Sequence, residues 1–82
     1  MTETLKNSNE DVQRLIDIGQ ALYGERWQTD LSNALQLSSV RRVRQWLNNE
    51  RAIPGNIWAD IERLIHDRNA QINQALEIIS KR

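Results

Sequence analysis

Eighty-two residues set a limit of one small domain, which as a chain of this size buries only about 60% of the surface it exposes when unfolded. Eleven basic and eleven acidic residues cancel to a net charge of zero, and 39% apolar with 27% charged residues is an ordinary globular composition. With no cysteine and a single histidine, a disulfide framework, a thiolate or histidine-based metal site and a cysteine nucleophile are excluded, so neither metal nor cofactor is expected.

The opening MTETLKNSNED is polar and lacks the apolar core of a signal peptide. No apolar run approaches the ~18 residues needed to cross a membrane. A cytoplasmic protein is the expectation. Residues 1–7 show no periodicity and are expected to form a flexible N-terminus. Ser8 with Asp11 three residues later resembles a capping box. Behind it Val12, Leu15, Ile16, Gly19, Leu22 and Tyr23 recur at helical spacing, and Gly24 supplies a stop. Gly19 inside this first helix costs up to ~1 kcal/mol relative to alanine, which close approach of another helix would offset.

Trp27, Leu31, Ala34 and Leu35 mark a short second helix ending near Gln36. Ser38 and Ser39 are N-cap residue types, and a third helix follows with Val40, Val43, Trp46 and Leu47 on one side. Asn48, Asn49 and the loop ERAIPG close it, and Pro54 suits the first turn of a fourth helix. From Asn56 nearly to the end, Ile57, Ile61, Leu64, Ile65, Ile72, Leu76 and Ile79 continue one stripe, with a break near Asn69 as the alternative. The fold class is all-α with four or five helices and a long C-terminal helix. Residues 8–68 form the expected domain and residues 69–82 a C-terminal helical extension.

The zero net charge hides a separation. Residues 1–37 carry three basic against six acidic side chains, whereas residues 38–51 carry Arg41, Arg42, Arg44 and Arg51 against Glu50 alone. The basic segment coincides with the third helix. The second and third helices, each expected to be nine or ten residues long with about three between them, have the dimensions of a helix-turn-helix. In that motif the first helix crosses the DNA backbone and the second enters the major groove.

With Val43 at 0° and roughly 100° per residue, the apolar centre of the third helix lies near 10°. Arg41, Gln45, Asn48 and Asn49 fall between roughly 140° and 240°, on the opposite face, and Arg42 and Arg44 flank them. Arginine bonds bidentately to guanine O6 and N7, and glutamine or asparagine to adenine N6 and N7. No acidic residue interrupts this face before Glu50, as approach to phosphate requires.

The stretch GERWQTDLSNALQLSSVRRVRQWLNNERAIPGNIWADIERLI, residues 24–65, resembles a lambda-repressor-like helix-turn-helix of the xenobiotic-response-element class. The resemblance spans about half the chain. It is carried by Gln28 with Leu31, by Leu35-Gln36-Leu37-Ser38, and by Val43 and Trp46. It implies a core made of the leucines, Val43 and Trp46, a backbone phosphate held by Gln28, and bases read by Arg41, Arg42 and Gln45. Three departures stand out: Ser32 replaces the usual alanine, Gln36 replaces the usual turn glycine, and the spacing from Ser38 to Val43 is one residue longer. The last of these leaves the register of the recognition helix open by one residue.

The expected base-reading set is therefore Arg41, Arg42, Gln45 and Asn48, and the phosphate-binding set is Gln28, Ser38, Ser39, Arg44 and Arg51. In the last helix, Trp58, Ile65, Ile72 and Ile79 occupy heptad position a, with Ile61, Arg68, Ala75 and Arg82 at d. Ile65, Ile72, Leu76 and Ile79 are expected to form a homodimer interface, the alternative being a helix that packs only on its own domain. His66, Asp60, Glu62, Arg63 and Asp67 read as solvated helix charges, and Trp27, Trp46 and Trp58 as core. A non-enzymatic, homodimeric repressor follows, acting on double-stranded DNA at an inverted-repeat operator, its own promoter among the candidates. The small size suggests a phage or mobile-element regulator, similar to anti-CRISPR-associated repressors. The rival expectations are an antitoxin whose C-terminal segment binds a toxin, and a protein-interaction module that no longer meets DNA.

Overall fold

The computed structural model describes residues 6–82. Among them the secondary structure is entirely helical: α1 (Asn9–Tyr23), a single 3-10 turn (Gly24–Arg26), α2 (Trp27–Ala34), α3 (Arg41–Leu47) and α4 (Gly55–Ser80). Ser8 caps α1, its hydroxyl accepting from the amide of Asp11 at 3.0 Å, and Glu10 and Asp11 sit favourably at the positive end of the helix dipole. Gly24 ends α1 with φ of 79° and ψ of −152°, a region of backbone conformation essentially confined to glycine.

The remaining glycine of α1 is there for space. Gly19 is buried against the indole of Trp27, the first residue of α2. This is the close approach that its position in a helix interior implies.

Both α2 and α3 end in the same way. The amide of Leu37 donates to the carbonyl of Ser32 at 2.9 Å and that of Gln36 to Asn33 at 3.1 Å, with Gln36 at φ 59°. The amide of Glu50 donates to Gln45 at 2.8 Å and that of Asn49 to Trp46 at 3.2 Å, with Asn49 at φ 60°. These are paired Schellman endings, in which a left-handed residue lets the last carbonyls of the helix find donors. They shorten the helices relative to expectation. α2 and α3 have eight and seven residues and are joined by residues 35–40, rather than nine or ten residues each joined by three. The apolar spacing runs on through Leu35, but the backbone has already left the helix there.

The core takes Leu15 from α1, Trp27 and Leu31 from α2, Val43 and Trp46 from α3, and Ile57 and Ile61 from α4. Each such apolar side chain contributes about 1.5–3 kcal/mol on burial. Ser32 is also buried, and its hydroxyl donates to the carbonyl of Gln28 at 2.7 Å, so a serine is accommodated where alanine is usual in the similar family. The indole N–H of Trp46 has no acceptor among the described residues.

Two expectations need correction or completion. The N-terminal segment is not uniformly loose. Residues 1–5 lie outside the described residues, but Asn7 is buried and its carboxamide is fully engaged. Its Nδ2 donates to the carbonyls of Trp46 at 3.1 Å and Arg51 at 2.9 Å, and its Oδ1 accepts from the amide of Ile53 at 2.7 Å. In the C-terminal half, α4 runs unbroken through Asn69 for 26 residues, about 39 Å at 1.5 Å per residue. Pro54 stands just before it, at the N-cap. Beyond Leu64 every residue of α4 is exposed; as far as Ile72 the helix still borders hollows with the end of α1, the remainder projects from the body, and the longest dimension reaches 62 Å.

Candidate nucleic-acid interface

The burial pattern fixes which way α3 faces. Val43 and Trp46 are 0% and 1% exposed, and Leu47 is half-buried beside them. Arg41, Arg42, Arg44 and Asn48 are exposed on the remaining surface. The first amide of the helix is satisfied by Ser39, whose hydroxyl accepts from Arg41 N–H at 3.2 Å. Ser38 is exposed beside it.

Gln45 departs from the expected geometry, being half-buried rather than pointing fully outward. The loop after α3 folds back at this point, with the amides of Glu50 and Arg51 both donating to the carbonyl of Gln45, at 2.8 and 3.2 Å. The fold-back carries Arg51 to the start of α3, so that Ser38, Ser39, Arg41, Arg42, Gln45 and Arg51 line one shallow hollow. Residues from both sets therefore share one surface. Asn7 holds this loop in place by binding the Arg51 carbonyl, while Asn49 Oδ1 accepts from the Asn7 backbone amide at 3.0 Å.

A second hollow lies between the start of α2 and α3 and brings Gln28 together with Arg44. Arg26 and Thr29 border it as well, and neither was singled out from sequence. Arg26 falls in the acidic part of the chain, which masks it in a segment count; its place next to the first turn of α2 was the available signal. Glu25 and Asp30 also border this hollow, so its charge is mixed. Asn48 lines neither hollow and is exposed at the end of α3.

The ion pairs among the described residues are Arg14 with Glu10 and Asp11, Arg63 with Asp60, and His66 with Glu62. None involves Arg41, Arg42, Arg44 or Arg51. Four guanidinium groups thus stand around α3 without a carboxylate of the described chain within ion-pairing distance. Each offers a planar fork of donors suited to phosphate oxygens or a guanine edge.

Ile65, Ile72, Leu76 and Ile79 are all exposed, and Ile78 with them. No helix among the described residues is long and apolar enough to cross a membrane. Comparison of the chain with protein-family models, with curated proteins and with solved structures returned no match.

Proposed function

We propose that this chain is a sequence-specific regulator that binds double-stranded DNA, with α2 and α3 acting as a helix-turn-helix. In this function α3 lies in the major groove. Arg41, Arg42 and Gln45 read base edges, with Asn48 further along, while Gln28, Ser38, Ser39, Arg44 and Arg51 hold phosphates. A homodimer joined through α4 would present two such helices to an inverted repeat, and occupancy of that operator would block a promoter. The observation that carries this function is the surface of α3: four arginines that make no ion pair among the described residues, around a helix whose opposite side is anchored by Val43 and Trp46.

Charge arrangement supports DNA over an acidic protein partner, because donors suited to base edges lie among the arginines. The test is a gel shift with the DNA immediately upstream of the chain's own coding sequence, with random duplex as competitor. A competitor-resistant complex is the expected result. Retardation that random duplex abolishes would reduce the function to nonspecific binding.

An antitoxin is the second reading, in which the exposed Ile72, Leu76, Ile78 and Ile79 meet a different protein instead of a second copy. In that case the projecting half of α4 covers a different protein. Co-purification of a stoichiometric small partner that loses affinity on replacement of these residues would support it.

A further inference from the structure

The projecting part of α4 carries more than an unpartnered stripe, because its face is the face that the body already uses. With Ile61 at 0° and roughly 100° per residue, Ile79 falls near 0°, Ile72 near 20°, Ile65 near 40° and Leu76 near 60°. Ile61 itself is buried in the core, as is Ile57 one turn earlier. The stripe therefore leaves the core and continues outward along one side of a straight helix. At its base, Ile18, Ala21 and Leu22 of α1 join Ile65 and Ile72 in a mostly apolar groove that Arg68 and Asn69 also border.

We infer that the groove and stripe are covered by a second copy of this chain, its α4 running antiparallel and crossing near Ile72. The inference deepens the dimer included in the proposed function and is independent of DNA. On the stripe, Ile65, Ile72, Leu76 and Ile79 are 39–63% exposed. They present roughly 400 Å² per protomer, so a two-fold pair would bury about 800 Å² before the groove and flanking residues are counted, and these bring it toward the roughly 1,000 Å² that a specific interface needs. An apolar patch of that extent is comparable to the largest that a typical monomer leaves in water, and such patches often mark an interaction site.

The direction follows from sterics. In a parallel, in-register pair the partner helix would face the same side of α4 along its whole length. The first half of that side is occupied by the chain's own α1, α2 and α3, and the two bodies would be driven into one another. An antiparallel partner meets only the projecting half. Ile65 and Ile79 each lie seven residues from Ile72, so rotation about a two-fold axis at Ile72 sets Ile79 of each copy against Ile65 of the other. The end of each α4 then enters the groove beside Ile18 and Leu22.

The chain has no native cysteine, so single cysteines report the arrangement directly. Ile65→Cys, Ile72→Cys and Ile79→Cys replace exposed side chains, and retention of the fold is checked by circular dichroism. A disulfide requires Cα atoms within about 7 Å. In the antiparallel pair Ile72→Cys cross-links to itself under mild oxidation. The two copies of residue 65 are separated by about 21 Å along the helix. Ile65→Cys and Ile79→Cys therefore remain uncross-linked alone and cross-link when the two variants are mixed and allowed to exchange. Equal self-cross-linking at all three positions would show a parallel pair and overturn the inference. A monomer in sedimentation at every concentration tested would overturn it as well, leaving the stripe for a different protein.

Discussion

The side-chain amide of Asn7 donates to the carbonyl of Trp46 at 3.1 Å, tying the segment before α1 to the end of α3 across 39 positions of sequence. The same carboxamide binds the Arg51 carbonyl and the Ile53 amide. It thereby substitutes for a strand or helix partner in a loop that has neither. The loop in turn places Arg51 beside the start of α3, so a residue outside both helices organises the proposed DNA-binding surface.

Replacement of Asn7 therefore has two readouts. Asn7→Ala leaves the Ile53 amide and two carbonyls without their partner, and a buried donor left unsatisfied costs about 1–3 kcal/mol. Urea unfolding is expected to show a loss of about 2–3 kcal/mol on this basis. Asn7→Asp keeps an acceptor for Ile53 but loses the donor to Trp46 and Arg51, so it is not expected to restore stability. A wild-type midpoint for Asn7→Ala would show that these bonds contribute nothing.

Gly19 tests the packing of α1 on α2. An alanine normally favours a helix interior by up to ~1 kcal/mol. Here a Cβ would come within 2.1 Å of the Trp27 ring, at its Cε3 atom. Overpacking of that kind typically costs about 1–3 kcal/mol, so Gly19→Ala is expected to lower the melting temperature despite its higher helix propensity. An increase in melting temperature would mean that the two helices separate easily.

Gln36 gives a prediction of opposite sign. It holds φ 59° at the end of α2, where a side chain costs about 1–2 kcal/mol and glycine does not. Against this, glycine raises the entropy of the unfolded chain by an amount worth about 0.4–1 kcal/mol. Gln36→Gly is therefore expected to stabilise by about 0.5 kcal/mol, and Gln36→Val to destabilise, because a β-branched residue tolerates positive φ poorly. Thermal melts of the pair decide it; the reverse order would place the strain elsewhere.

The two arginine roles separate by salt dependence. Arg41→Ala or Gln45→Ala is expected to cost about 1–3 kcal/mol on the preferred duplex and to relax one base position. Arg44→Ala or Arg51→Ala is expected to weaken binding across all duplexes and to lower the slope of log affinity against log salt by about one unit. Gln28→Ala weakens binding uniformly but leaves the slope, since the amide is neutral. Fluorescence anisotropy over a salt series measures both quantities. An equal loss on preferred and random DNA for Arg41→Ala would reassign that side chain to phosphate.

Much of the fold is legible because local chemistry specifies it. Ser8 and Gly24 mark the ends of α1, the periodicity of Val43 and Trp46 sets the buried side of α3, and the isoleucine stripe gives the length of α4. What is not legible depends on long-range or conformational facts. Asn7 is a polar residue in a polar segment, and its partners are backbone groups remote in sequence. Gln36 terminates α2 by adopting a left-handed conformation that its side chain does not favour, so the apolar spacing overstates the helix. Gln45 is partly covered by a loop whose return no periodicity records. The candidate surface is recognisable as charge in one segment, Arg51 included, but its extension by Arg26 needed the fold.

The central claim is that the exposed face of α3 reads base sequence. It is tested most directly by selection from a randomised pool of duplexes, run in parallel with the wild-type chain and with an Arg41→Ala, Arg42→Ala, Gln45→Ala triple variant whose fold is confirmed by circular dichroism. The account predicts that the wild-type chain enriches one inverted-repeat consensus and that the folded variant enriches none. Failure of the wild-type chain to enrich any sequence, or recovery of the same consensus by the variant, would contradict it.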